Sequence, residues 1–299
     1  MRGVWTALVT PFDDKGALDL ESFKKILHAQ RDAKITGVIP CGTTGETPTL
    51  SVDEKKRLIE TALETLKGSG VKVVAGTGTN NTAESVELSR WASAQGVDGV
   101  LIVTPYYNKP SQAGMEAHYR AIADAISCEL IVYNVPGRTG VSLTPQTIVT
   151  LASHPKITTL KEATGNVAFT SEIIDILAQK GAKLDILSGD DATYFPLLAV
   201  GAVGVISVAS NLIPEVMVEL QKLMDQGKVD AARKIHQKYY PIFRDLFVDS
   251  NPVPIKYALA TQGLGKTYVR APLVEMGGAD IEKLKGALKR CEIFPRSSS

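Results

Sequence analysis

Cysteine is scarce in this 299-residue chain: Cys41, Cys128 and Cys291 are an odd set, far apart, with no Cys-x-x-Cys pair. That excludes a disulfide framework and points to reduced thiols, hence to a cytoplasmic setting. The four histidines, His28, His118, His154 and His236, show no ligand spacing with acids or cysteines, which argues against a metal-dependent reaction. An excess of either charge is missing too. With 33 basic and 32 acidic residues the net charge is +1, so nothing favours nucleic acid or an anionic membrane as partner. Long apolar runs are absent: no stretch would span a bilayer, and Met1–Pro11 is too short for a signal peptide before Asp13 and Asp14 follow. A phosphate loop is missing as well. Gly263-Leu264-Gly265-Lys266-Thr267 has Ala260 where the first glycine should stand and no strand before it, so it reads as a turn.

What remains is an ordinary globular composition, 44% hydrophobic and 22% charged, sufficient to bury a full core. Eight short β-branched segments recur, near Val4–Val9, Gly37–Pro40, Val71–Ala75, Gly99–Val103, Leu130–Asn134, Ile157–Lys161, Leu184–Leu187 and Gly204–Ser207. Each is followed by a polar or glycine-rich loop and then a stretch of helical period. This alternation predicts a (β/α)8 TIM barrel. A doubly wound open sheet would carry a glycine fingerprint after its first strand, where this chain has Thr10-Pro11-Phe12-Asp13. Ser51-Val52-Asp53-Glu54 fits a capping box, Asn81 or Thr82 can cap the next helix, Gly96 should stop it, and Thr144-Pro145 opens another. The alternation breaks after about Met224. The reading is a catalytic barrel over 1–224 and a small C-terminal helical domain over 225–299, with helices near Val229–Val248, Pro254–Gln262 and Ala279–Leu288.

Lys161 ends the sixth predicted strand, and strand alternation puts it on one face with Ile157 and Thr159. In a barrel that face points inward. A lysine there either snorkels to water or, if desolvated, serves as a nucleophile that forms a Schiff base with a carbonyl. Free lysine, with a pKa of about 10.4, is almost wholly charged at neutral pH, so a nucleophilic role requires the site to favour the neutral amine.

The neighbouring strand ends decide between these readings, because in such barrels they share one mouth. They carry Gly42-Thr43-Thr44-Gly45-Glu46, Thr104-Pro105-Tyr106-Tyr107-Asn108, Tyr133-Asn134-Val135-Pro136-Gly137-Arg138, Lys161-Glu162, Ser188-Gly189-Asp190-Asp191 and Val205-Ile206-Ser207. Several such loops converging on one lysine indicate a site. Tyr133 is either a core tyrosine or, beside a Schiff-base lysine, a proton carrier. Thr43 and Thr44 are either turn residues or, between two glycines and a glutamate, a holder for a small carboxylate through hydroxyls and backbone N–H groups. Arg138, after a Pro-Gly turn, is either a solvated rim residue or a fork for a substrate carboxylate. Tyr106 and Tyr107 also fit as aromatics packed under the next helix. Gly201 and Gly204 could cradle a phosphate, although Val203, Val205 and Ile206 make that region apolar and better suited to a methyl group.

These motifs, together with Asn251-Pro252-Val253-Pro254-Ile255-Lys256, resemble the dihydrodipicolinate synthase family, within the lysine-dependent pyruvate aldolases that also include N-acetylneuraminate lyase. The likeness covers nearly the whole chain. It implies a lyase in lysine and diaminopimelate biosynthesis that condenses pyruvate with L-aspartate 4-semialdehyde to 4-hydroxy-tetrahydrodipicolinate, without metal or redox cofactor. It further implies Lys161 as imine former, Tyr133 as acid and base, and Thr44 as a link to Tyr107 reaching in from a neighbouring subunit of a homotetramer. Thr43 and Thr44 would hold pyruvate, Arg138 the second substrate, and Gly189 and Ile206 would line the pocket.

Many members of the family respond to L-lysine at a dimer interface. The matching positions Asn80, Glu84 and Tyr106 are present, while Pro48, Val52 and Lys55 depart from the sensitive pattern, so weak or absent inhibition is expected. Another pyruvate-forming aldolase, acting on N-acetylneuraminate or a 2-oxo acid, is the enzyme alternative. A barrel that only binds is the other, and a buried nucleophile argues against it.

Overall fold

The computed structural model describes residues 1–294; the last five residues of the 225–299 range fall outside it. The eight strands are β1 (Gly3–Ala7), β2 (Gly37–Ile39), β3 (Lys72–Gly76), β4 (Gly99–Val103), β5 (Glu129–Asn134), β6 (Ile157–Glu162), β7 (Asp185–Ser188) and β8 (Gly204–Ser207). They follow one another in chain order around a closed barrel, as the alternation predicts. Every strand lies within two residues of its predicted segment. Runs such as Val73-Val74 and Leu130-Ile131-Val132 are apolar throughout because parallel strands are covered on both faces.

Helix boundaries follow local chemistry. Ser51 and Glu54 form the reciprocal capping box of the helix Val52–Thr65. Asn81, rather than Thr82, caps Thr82–Ala94, and its side chain accepts from the N–H of Ala83. Thr144 caps Pro145–Leu151, with proline in the first turn, where its missing N–H costs nothing. Gly96 follows the second of these helices at φ +86°, a conformation that suits glycine.

Two compact units make up the chain. One comprises Met1–Gly3 and Lys72–Ile206, with β3 to β8 paired in parallel around Val74, Val100, Ile102, Val132, Leu160 and Ile186. The other comprises Val4–Val71 and the chain from Ser207 onward, built on Trp5, Phe12, Phe23, Ile26, Leu27 and Phe243. After β8 no further strand occurs among the described residues; the helices Pro214–Asp225, Val229–Asp245, Val253–Thr261 and Gly278–Arg290 follow.

Candidate active site

In the first unit, β5 and β6 bring Tyr133 and Lys161 together. They are direct partners in the parallel ladder, and the Lys161 amine lies 4.0 Å from the centroid of the Tyr133 ring. Both residues are buried, each 5% exposed as a whole. Neither Lys161 Nζ nor Tyr133 Oη hydrogen-bonds to any described residue, and no carboxylate pairs with the lysine. A buried amine is ordinarily matched by an acid. Here the amine and the phenol stand on adjacent strands, and neither is engaged by another described residue.

Their supports are polar and buried. The Thr104 hydroxyl donates to the Tyr133 carbonyl at 3.0 Å and lies 3.1 Å from the Tyr119 hydroxyl, locking the end of β5. Glu162, next to the lysine, turns to the opposite face, where it accepts from the N–H of Thr164 at 2.6 Å and from its hydroxyl at 3.1 Å. Burial pushes the Glu162 carboxyl upward, against those hydrogen bonds. Gly189 donates its N–H to the Glu162 carbonyl at 2.6 Å. A Cβ at Gly189 would stand 2.6 Å from the Ala163 Cβ, so only glycine lets β7 approach the end of β6 so closely. Ile206 is buried in β8.

The rim holds Arg138 on the short helix Pro136–Thr139, exposed and without an acidic or hydrogen-bonding partner among the described residues. Tyr107 is 89% exposed with φ +71°, so it does not pack under the following helix as one reading of the sequence allowed. Asn80 Nδ2 donates to the Tyr106 carbonyl at 3.2 Å, whereas Glu84 is held by Asn81 Nδ2 at 3.0 Å. Gly204 is not a phosphate cradle: an added Cβ would fall 2.0 Å from the Gly3 carbonyl oxygen, so its bare backbone serves strand packing.

In the second unit, residues 42–46 form a tight turn in which the N–H of Gly45 donates to Gly42 and that of Glu46 to Thr43, both at 3.0 Å. Thr10 Oγ1 donates to the Gly45 carbonyl at 2.7 Å. Thr44 is buried, and its hydroxyl oxygen accepts from Asn251 Nδ2 at 2.9 Å. Glu46, in the left-handed region at φ +55°, is buried against Lys256, and its other carboxylate oxygen accepts from the N–H of Arg270 at 2.9 Å. The Arg270 fork continues to Glu54, at 2.8 and 2.5 Å, and holds that carboxyl low, at about 2. Sequence reasoning missed Thr104, Asn251 and Lys256 as supports. The one available signal was a lysine within the apolar run Val253–Leu259.

A model of the dihydrodipicolinate synthetase family matches residues 1–291. The chain belongs to that family. A 4-hydroxy-tetrahydrodipicolinate synthase of Pelobacter propionicus is 46% identical over 288 residues, covering 96% of this chain and 98% of that one. Among solved structures, the synthase of the same name from Methylacidiphilum fumariolicum superposes with a TM-score of 0.94 at 43% identity, over 98% of this chain and 96% of that one. The dihydrodipicolinate synthase of Acinetobacter baumannii, solved with pyruvate, gives 0.94 at 39% identity, over 98% and 99%. The family match thus covers all eight strands and the helices after them, through residue 291.

Proposed function

We propose that this protein is a lysine Schiff-base lyase that condenses pyruvate with L-aspartate 4-semialdehyde to 4-hydroxy-tetrahydrodipicolinate, a step of lysine and diaminopimelate biosynthesis. The observation that carries this reading is the amine of buried Lys161 over the Tyr133 ring, with neither group engaged by another described residue. Lys161 attacks the pyruvate C2 carbonyl and water leaves as the imine forms. Loss of a proton from C3 gives the enamine, whose C3 attacks the aldehyde carbon. The amino group of the second substrate then adds to C2 and expels Lys161, closing a six-membered ring. Tyr133 moves protons at the imine-forming and imine-breaking steps, for which a phenol beside the amine is suited.

The remaining roles rest on the motifs. Thr43 and Thr44 bind the pyruvate carboxylate, Gly189 and Ile206 line the pocket, and Arg138 takes the carboxylate of the second substrate with a fork that no other described residue engages. Thr44 also passes a proton between Tyr133 and Tyr107, the latter supplied by a second copy in a homotetramer built from two dimers. The 89% exposure of Tyr107 supports that role, since the described residues leave its side chain largely uncovered. The barrel is assigned to 1–224, with 225–299 as an appendage for packing or subunit contact. No helix among the described residues is long and apolar enough to cross a membrane. The three free thiols fit the cytoplasm.

Intact-protein mass after borohydride reduction with pyruvate tests the chemistry. A pyruvate adduct on the native protein and none on Lys161→Ala is the expected result; no adduct on the native protein overturns the reading. Assay with aspartate 4-semialdehyde against N-acetylneuraminate then separates the synthase from its aldolase alternatives.

A further inference from the structure

The segment Asn251-Pro252-Val253-Pro254-Ile255-Lys256 has no part in the chemistry above, yet both of its polar side chains reach the 42–46 turn. Asn251 Nδ2 donates to Thr44 Oγ1 at 2.9 Å, and Lys256 Nζ pairs with Glu46 while also donating to the Tyr268 carbonyl at 2.9 Å. All four side chains are buried, Lys256 at 2% exposure, and the lysine also lies 4.2 Å from the centroid of the Phe12 ring. With Thr10 holding the Gly45 carbonyl, each of residues 44, 45 and 46 is fixed by a separate polar contact. A buried ion pair is often no more stabilising than apolar packing, but removing one partner leaves an uncompensated buried charge, so the pair holds its two segments to one arrangement.

The Asn251 contact specifies more than position. A threonine hydroxyl has one proton to donate and lone pairs to accept with. Because the Asn251 amide N–H takes up one lone pair, that nitrogen cannot receive the Thr44 proton, which is thereby kept for a different acceptor. Asn251 Oδ1, for its part, is buried and accepts from no described residue.

We propose that Asn251 is a positioning residue for Thr44: its amide donates to the hydroxyl oxygen and directs the Thr44 proton toward substrate chemistry, while Lys256 anchors the same turn through Glu46. This rests on the role given to Thr44 under the proposed function.

The test is a double-mutant cycle on the full chain with Asn251→Ala, Thr44→Val and the pair, read as kcat and as KM for pyruvate. Asn251→Ala is expected to lower kcat by about 10 to 100-fold, with a smaller change in KM, as misplacement of a catalytic group does. In the Thr44→Val background the same change should cost less than about twofold, since the two residues act as one unit. A merely structural role would give additive losses. Asn251→Asp keeps the side-chain outline but removes the donor; a comparable loss is expected, and this variant carries the decision if Asn251→Ala does not fold. Wild-type kcat in Asn251→Asp, or additive losses in the cycle, overturns the inference. The pyruvate adduct on the native protein, measured in parallel, reports on Lys161 independently. Its absence defeats the Schiff-base reading, whereas its presence together with additive losses defeats this inference alone.

Discussion

Tyr133 faces Lys161 because the ladder between β5 and β6 slips by one residue. Leu130 pairs with Ile157, but Ile131 already pairs with Thr159, so Thr158 is skipped and Tyr133 falls opposite Lys161 instead of Leu160. The irregularity re-aims a side chain, a common use of bulges beside active sites. Thr158 itself donates to Glu129 Oε2 at 2.6 Å, which holds the slip in place. Tyr133→Phe keeps the ring over the amine and removes only the hydroxyl. It should lower kcat by roughly 10² to 10⁴-fold, the range for a positioned acid or base, while borohydride still traps pyruvate on Lys161. Steady-state kinetics and adduct mass on this variant separate proton transfer from nucleophilic attack.

Gly189→Ala should be far more damaging than an ordinary surface substitution. The new methyl would meet Ala163 Cβ at 2.6 Å and the Glu162 carbonyl oxygen at 3.0 Å, so the end of β7 must retreat from β6. Overpacking of this kind costs about 1–3 kcal/mol, measurable as a lower denaturant midpoint. Activity should fall further than stability, because the displaced backbone adjoins Lys161.

His118 predicts an acid limb in the stability profile. Burial pushes its imidazole down to about 4, whereas an unfolded histidine titrates near 6.5. Between those values the unfolded chain binds a proton that the folded protein refuses, so stability declines as pH falls from about 6.5 to 4 and is unaffected by this group above 6.5. The full gap corresponds to roughly 3 kcal/mol. His118 reaches Thr82 Oγ1 at 2.9 Å and stacks edge-on against Tyr119. His118→Asn, which does not titrate, should flatten this part of the curve whatever its effect on absolute stability. Urea unfolding at pH 4.5 and 7 would show an unchanged slope if the histidine is not the cause.

L-Lysine should inhibit weakly or not at all. Asn80, Glu84 and Tyr106 are present, but the Asn80 amide is already committed to the Tyr106 carbonyl, and Pro48 and Val52 offer only exposed apolar surface beside Lys55. Rate assays at sub-millimolar lysine, a concentration that a tight regulatory site would detect, should match those without it. A clear dose-dependent loss there would reverse this expectation.

The sequence alone determined the strands, the helix caps and the place of Lys161 at the end of its strand, because these depend on near neighbours. β-branched runs, turns and helix caps act over a few residues, and strand alternation sets which side of β6 carries Lys161. The pairing of Tyr133 with Lys161 was not legible, since a one-residue slip in the ladder leaves no mark in composition. The same holds for Asn251 on Thr44, separated by 207 residues, and Lys256 on Glu46, separated by 210. Each needs a buried donor and acceptor to meet in the folded chain. Only tertiary structure decides which of many polar residues do so, and burial is what makes each such choice energetically binding.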